Sequence, residues 1–229
     1  MSIKRFSKAE RYTHRSIAVL MGILIATAAA LYIPDISTVV GNRELVKTIH
    51  SYSGFLLPVP IILALFSLAF RRDAQELNRF HPHDWAWLKR EAKPGVVSIP
   101  VNSPTDYGKF NAGQKLNAAF TTGAIAVMFI TGSMMFFSSL FTDDLRTGAT
   151  FVHDWLALAM VIVLTGHTYM AFKDTSVRVG MRTGEVPYGW AKQHHPEWVL
   201  AVTQPEIHPA DENQSDDQNK GQGNEDPPQ

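Results

Sequence analysis

The stretch HDWLALAMVIVLTGH, residues 153–167, decides how this chain is read. It is a long apolar run with His153 at one end and His167 at the other. On an α-helix, about 100° per residue leaves the two rings within about 40° of one another, and about 1.5 Å of rise per residue sets them about 21 Å apart. The hydrocarbon layer of a bilayer is about 30 Å thick, so the two histidines lie near opposite membrane surfaces. Ionisable side chains are costly there, and two on one stripe mark a functional site.

Whole-chain averages conceal the membrane character. The sequence is 45% hydrophobic with a mean hydropathy of -0.05, values that an ordinary soluble domain would show. Yet residues 16–34, 48–70, 116–142 and 155–172 contain no Asp, Glu, Lys or Arg. Each is long enough to cross a bilayer as a helix. The chain is therefore expected to be all-α, an integral membrane four-helix up-and-down bundle over residues 1–190, with spans at about 16–34, 48–70, 116–141 and 151–172. A long cytoplasmic loop joins the second and third helices, residues 191–208 form a cytoplasmic extension, and 209–229 read as a disordered acidic tail too polar to repay its ordering entropy. The net charge is zero, but its distribution is lopsided: eighteen Lys and Arg fall on the side that carries both termini and only Arg43, Lys47 and Arg146 on the other. The positive-inside rule then places both termini in the cytoplasm of a bacterial inner-membrane protein. There is no cysteine, which removes disulfides, iron–sulfur ligation, thiolate zinc and covalently attached haem from this chain.

Read in order, the basic N-terminus leads into a run containing Ala26, Ala28 and Ala30, which also has the look of a secretory signal. The run exceeds the usual apolar core of about 7–15 residues, so the first helix is expected to stay. Gly22, Ala26 and Ala30 recur at four-residue spacing as a close-packing face. The second helix opens with His50 in its first turn, one turn before Gly54, and Pro58 and Pro60 should kink or locally unwind it. Residues 84–93 set Trp85 and Leu88 amid charges, as a short helix at headgroup level does, and Pro94, Gly95, Pro100 and Pro104 then break regular structure. A short turn, TDDLRTG, precedes the last span, and the aromatic segment around YGWAKQHHPEW is expected to dock on the bundle or on a partner.

Topology sorts the nine histidines. An up-and-down bundle places His14 and His167 toward the cytoplasmic side and His50 and His153 toward the outer side. Neutral imidazole is a good axial ligand for haem iron, so two depth-matched pairs imply two stacked b-type haems. The second ring nitrogen of each ligand should be held by backbone or by Ser or Thr hydroxyls. Haem carboxylates need cationic partners, for which Arg15, Arg71 or Arg72 are placed on the cytoplasmic side and Arg43, Lys47 or Arg146 on the outer side. His81, His83, His194, His195 and His208 lie beside prolines in loops or tail and read as surface histidines.

With these residues in view, the chain resembles the cytochrome b (gamma) subunit of respiratory formate dehydrogenase, within the broader diheme membrane cytochrome b group. The resemblance runs from about Ser7 to Trp190 and includes GKFNAGQK, residues 108–115, just before the third helix. It implies haem ligation by His14, His50, His153 and His167, and menaquinone or ubiquinone binding by Asn111 and Gly113 together with His167. Gln114 adds a second amide donor of the kind a quinone carbonyl needs. The resemblance further implies an iron–sulfur (beta) subunit and a molybdenum or tungsten catalytic (alpha) subunit as partners, with no substrate oxidation on this chain and no role for nucleic acid. Electrons would pass inward to quinone on the cytoplasmic side, contributing to proton-motive force. The competing readings are a b-type cytochrome for a hydrogenase or thiosulfate reductase and, in a different class, a haem-free membrane anchor or assembly protein.

Overall fold

A computed structural model describes residues 1–91 and 108–204 of the chain. The expectations for Pro94, Gly95, Pro100, Pro104, His208 and the 209–229 tail fall outside the described residues. Four helical segments are long and apolar enough to cross a membrane: Lys8–Tyr32, Arg43–Ala64, Ala112–Phe136 and Asp143–Lys173. The all-α membrane architecture is the one expected from the apolar runs.

Local chemistry places the helix ends. Helix α1, Lys8–Tyr32, starts at a capping box in which the Ser7 hydroxyl accepts from the Glu10 amide at 3.3 Å and the Glu10 carboxylate accepts from the Ser7 amide at 2.5 Å. After α2, Pro34–Val40, the chain turns through Gly41 at φ 69. The Asn42 side chain then accepts from the Leu45 amide at 3.0 Å and starts α3, Arg43–Leu56. His50 consequently sits two turns inside α3 rather than in its first turn. Pro58 and Pro60 interrupt the second span as expected, and the helix resumes as α4, Val59–Ala64. The span ends there instead of at residue 70, because Ser67 caps a new helix, α5, Leu68–Leu77, that carries Arg71, Arg72 and Asp73. Helix α6, Pro82–Glu91, matches the interfacial helix expected near residue 84. Helix α7, Ala112–Phe136, and α8, Asp143–Lys173, complete the spans. TDDLRTG is helical rather than a turn, since Asp143 and Asp144 suit the positive end of the α8 dipole.

Helix α8 packs along α7, and α1 packs along α3, which also touches α7. The α8 backbone approaches α1 and α3 at no more than isolated points, so on that side the two halves of the bundle meet through side chains across slots at backbone level. At mid-depth the slots are closed by a waist of Met21, Leu57, Ala124, Ile125 and Met160, flanked by Ile17, Leu24, Leu156 and Leu164. Many large apolar side chains, including Val19, Leu63, Phe66 and Ile162, point outward as a lipid-facing surface requires. Of the proposed small-residue face only Ala30 is buried; Gly22 and Ala26 are exposed.

The end of the bundle at which the chain begins carries a cap built from the N-terminal residues and residues 175–203. Strand β1, Ser2–Lys4, pairs antiparallel with β2, Glu185–Pro187, an element the helical periodicity does not announce. Between them Gly184, at φ 95, offers its carbonyl to the amides of Arg5 at 2.8 Å and Phe6 at 3.1 Å, and a side chain there would meet the Phe6 carbonyl. Helices α9, Thr175–Thr183, α10, Tyr188–His194, and α11, Pro196–Thr203, fold over this ribbon around Val186, Ala191, Trp198 and Val199. The aromatic C-terminal segment thus docks on the chain's own N-terminus.

A buried ion pair fastens α6 to α7: the Lys115 ammonium, 1% exposed, meets the Asp84 carboxylate, 0% exposed, at 2.9 Å, with Glu76 of α5 at 3.4 Å. Asp84 also accepts from the His81 amide at 2.8 Å, so removing its cation strands a charge in a closed space. Lys115→Met is expected to cost about 3–5 kcal/mol, and Lys115→Met with Asp84→Leu to recover most of it. Thermal denaturation of the detergent-solubilised protein measures both.

Candidate functional site

On α8 the side chains of His153, Leu156, Met160, Leu164 and His167 follow one stripe at three- and four-residue spacing. The stripe faces the slot between the two halves of the bundle. There His167 meets His14 of α1 with ring centroids 6.1 Å apart, and His153 meets His50 of α3 at 6.4 Å. These are the depth-matched couples read from the sequence. The apolar waist lies between them.

The geometry fits a metal that brings most of its own ligands. Among the described residues no group of three or more His, Asp or Glu side chains converges to hold a bare ion. Two imidazoles on opposite sides of one iron, each nitrogen at about 2.0–2.1 Å as in other metal–imidazole bonds, keep their ring centres roughly 6 Å apart. Each pair therefore suits an iron already held by a planar macrocycle, and the slots give such a ring a place to lie.

The His50–His153 pair is held from behind. His50 Nδ1 lies 2.8 Å from the Thr27 hydroxyl and His153 Nδ1 lies 2.9 Å from the Thr131 hydroxyl. Hydroxyl support of the second ring nitrogen is the arrangement expected for ligating histidines. His14 and His167 have no such hydrogen bond among the described residues and stand exposed in the slot. Gly132 follows Thr131 directly, and a Cβ there would sit 3.4 Å from His153 Cε1. Gly132→Val, with two more carbons than that, is expected to displace the His153 ring. Lowered haem content in the purified variant, with unchanged helicity by circular dichroism, is the measurement.

Of the six cations suggested as carboxylate partners, Arg15 donates to the Arg182 carbonyl, Arg43 to the Leu31 carbonyl and Arg146 to Asp143. Arg71, Arg72 and Lys47 make no side-chain bond among the described residues, so their charges remain available.

At the capped end of the bundle Asn111 and Gln114 form a capping box: Asn111 Oδ1 accepts from the Gln114 amide at 2.9 Å and Gln114 Oε1 accepts from the Asn111 amide at 3.1 Å. Capping uses only the two amide oxygens. Both side-chain NH2 groups are left as donors, so capping and ligand binding are compatible. Gly113 lies against Trp87 of α6; a Cβ would come within 3.1 Å of the indole. Lys109, just before Asn111, pairs with Asp73 and, at 3.3 Å, with Glu10. Burial and a hydrogen bond with Glu10 push the Asp73 carboxyl up to about 7, so protonatable groups adjoin the motif near neutral pH.

Arg5 and His195 hold the backbone of the same motif. His195 Nδ1 lies 3.0 Å from the Gly108 carbonyl, which only accepts, so this nitrogen carries the proton. His195 Nε2 then accepts from Arg5 at 3.1 Å, while Arg5 also donates to the Lys109 carbonyl at 2.5 Å beneath Trp190 and Trp198. His195 is thus buried, against the surface position expected from its neighbouring proline; the paired tryptophans Trp190 and Trp198 were the available signal. Burial, and then the Arg5 charge, push its imidazole down from 6.5 to about 3. An unfolded histidine takes up a proton first, so the contribution of His195 is complete above pH 6.5, declines as the pH falls, and is gone by about pH 3. Tryptophan emission should report loosening of the cap across that window, and His195→Gln should flatten the profile.

A family model described as prokaryotic cytochrome b561 matches residues 5–182. The formate dehydrogenase cytochrome b556 subunit of Haemophilus influenzae is 28% identical over 206 residues, covering 86% of this chain and 82% of that protein. The formate dehydrogenase cytochrome b556(fdo) subunit of Escherichia coli is 24% identical over 208 residues, covering 88% and 93%, and the nitrate-inducible cytochrome b556(Fdn) subunit of the same organism is 23% identical over 210 residues, covering 89% and 93%.

Proposed function

The chain belongs to the prokaryotic cytochrome b561 family, and from that membership we propose that it is the diheme, quinone-reducing electron-transfer subunit of a formate dehydrogenase complex. The two facing imidazole pairs on one helix carry this reading. Membership implies haem b; His14 with His167 and His50 with His153 are the residues that would hold it. Haem b supplies one-electron carriage between the two membrane surfaces. The protein's own contribution is to hold four neutral imidazoles at two depths, exclude water with the apolar waist, and keep the second nitrogen of each outer ligand engaged.

Reduction of a quinone to a quinol takes two electrons and two protons, so the acceptor site needs both a nearby haem and cytoplasmic water. The Asn111 end of the bundle adjoins the Glu10–Asp73–Lys109 cluster, and Glu10 lies about one helical turn before His14 on α1. Asn111 and Gln114 present amide donors to the two quinone carbonyls, and Gly113 leaves the backbone approachable beside Trp87. The outer end would receive electrons from an iron–sulfur subunit joined to a molybdenum or tungsten catalytic subunit, in a bacterial inner membrane with both termini cytoplasmic. The curated relatives' names, all formate dehydrogenase cytochrome subunits, support that assignment of partners.

His50→Ala or His153→Ala is expected to remove one of two haems, and His14→Ala or His167→Ala the other, by pyridine haemochrome content and resolved redox titration. Equal haem in the parent and all four variants would overturn the diheme assignment. Asn111→Asp retains an acceptor for the α7 cap but replaces the amide donor. It should slow quinone-driven haem reoxidation at least about 10-fold, as expected for loss of a hydrogen bond in a closed site, with haem content unchanged. Copurification with a hydrogenase rather than a formate-oxidising enzyme would overturn the choice of partner alone.

A further inference from the structure

The two threonines behind the outer imidazoles share one bonding pattern, on different helices. Thr27 Oγ1 donates to the Ile23 carbonyl, four residues back on α1, at 2.7 Å, and Thr131 Oγ1 donates likewise to the Val127 carbonyl on α7 at 2.8 Å. Each hydroxyl has one hydrogen, and a helix carbonyl can only accept. With that hydrogen committed, the threonine oxygen can only accept from the ring facing it. Nδ1 must then be the protonated nitrogen of both His50 and His153, at 2.8 and 2.9 Å, which leaves each Nε2 lone pair free. Both threonines sit within otherwise apolar runs, where a polar side chain without a partner is disfavoured. The cytoplasmic pair, His14 and His167, has no matching support among the described residues.

We propose that Thr27 and Thr131 are positioning residues that lock the outer imidazole pair in its ligating tautomer and, by accepting from Nδ1, make the outer haem the harder of the two to reduce. This role rests on the reading of His50 and His153 as axial ligands. An imidazole whose Nδ1–H is engaged by an acceptor is a stronger donor at Nε2, and a stronger donor favours the oxidised iron. Because among the described residues the outer pair alone is so engaged, the more reducing haem lies at the outer end and the more easily reduced one at the Asn111 end. Electrons entering from outside therefore run downhill toward the cytoplasmic end.

The test is resolved redox titration of the purified full-length protein in its complex, comparing the parent with Thr27→Val, Thr131→Val and the corresponding Ser variants. Valine keeps the shape and removes the acceptor; serine restores it. Each Val variant should raise the midpoint potential of one haem, the one lost in His50→Ala, by a shift equivalent to about a 10-fold change in its oxidised-to-reduced ratio, or 59 mV for one electron. The other haem should stay put, and Ser should return the potential to the parental value. Loss of that haem in the Val variants with retention in the Ser variants supports the same role. Two haems with unmoved potentials in both Val variants, or equal losses in Val and Ser, would overturn it while leaving the diheme reading intact. A parent protein without haem would overturn the cytochrome reading itself and this role with it.

Discussion

Four imidazoles set into an apolar bundle are the constraint on which the rest of the architecture turns. A histidine among membrane helices is costly without partners; here the rings face one another in pairs about 6 Å apart, and a threonine stands behind each ring of the His50–His153 pair. Helix α8 can bear two such histidines because its backbone stays clear of α1 and α3, which leaves room for facing rings on either side of the side chains that do meet there. The same stripe fills its middle with Leu156, Met160 and Leu164, so the slots are interrupted by a waist at mid-depth. Separation of the two centres and dryness between them come from one helix face.

The capped end of the bundle answers a different problem, that of holding a short polar motif still. The motif from Gly108 to Lys115 is gripped at both ends: Arg5 and His195 take its first carbonyls, and Asp84 takes the Lys115 ammonium. Neither grip is cheap, since Arg5, Lys115, Asp84 and His195 are all buried. Burial of charge is tolerable where every charge faces an opposite charge or a carbonyl, and costly once a partner is removed. Between the grips, the capping box orients Asn111 and Gln114 while using only their oxygens. A helix start and a set of hydrogen-bond donors are thereby made from the same two side chains.

Several sequence features acquired a second meaning once tertiary partners were visible. Thr27 and Thr131 read as tolerated polar interruptions, yet each faces a histidine 22 or 23 residues away. Ser67 lay inside an apolar run, and only its bond to the Phe70 amide marks the end of the second span and the start of α5. His195 looked like a surface residue because proline follows it. Its burial depends on Arg5, 190 residues distant, which no local pattern announces.

The sequence by itself determined the four membrane helices and the pairing of the four bundle histidines by depth. Both follow from local rules: charge-free runs of spanning length, about 3.6 residues per turn, and about 1.5 Å of rise per residue. The missing amide hydrogen of proline likewise marked Pro58 and Pro60 as the break in the second span. Tertiary structure alone decided what lies behind and beside the site. The threonine supports, the slots left by α8, the strand pair between residues 2–4 and 185–187, and the Arg5–His195 grip all join residues far apart in the chain. Hydropathy and helical period carry no term for such contacts, because their energy depends on which distant polar group is brought within about 3 Å.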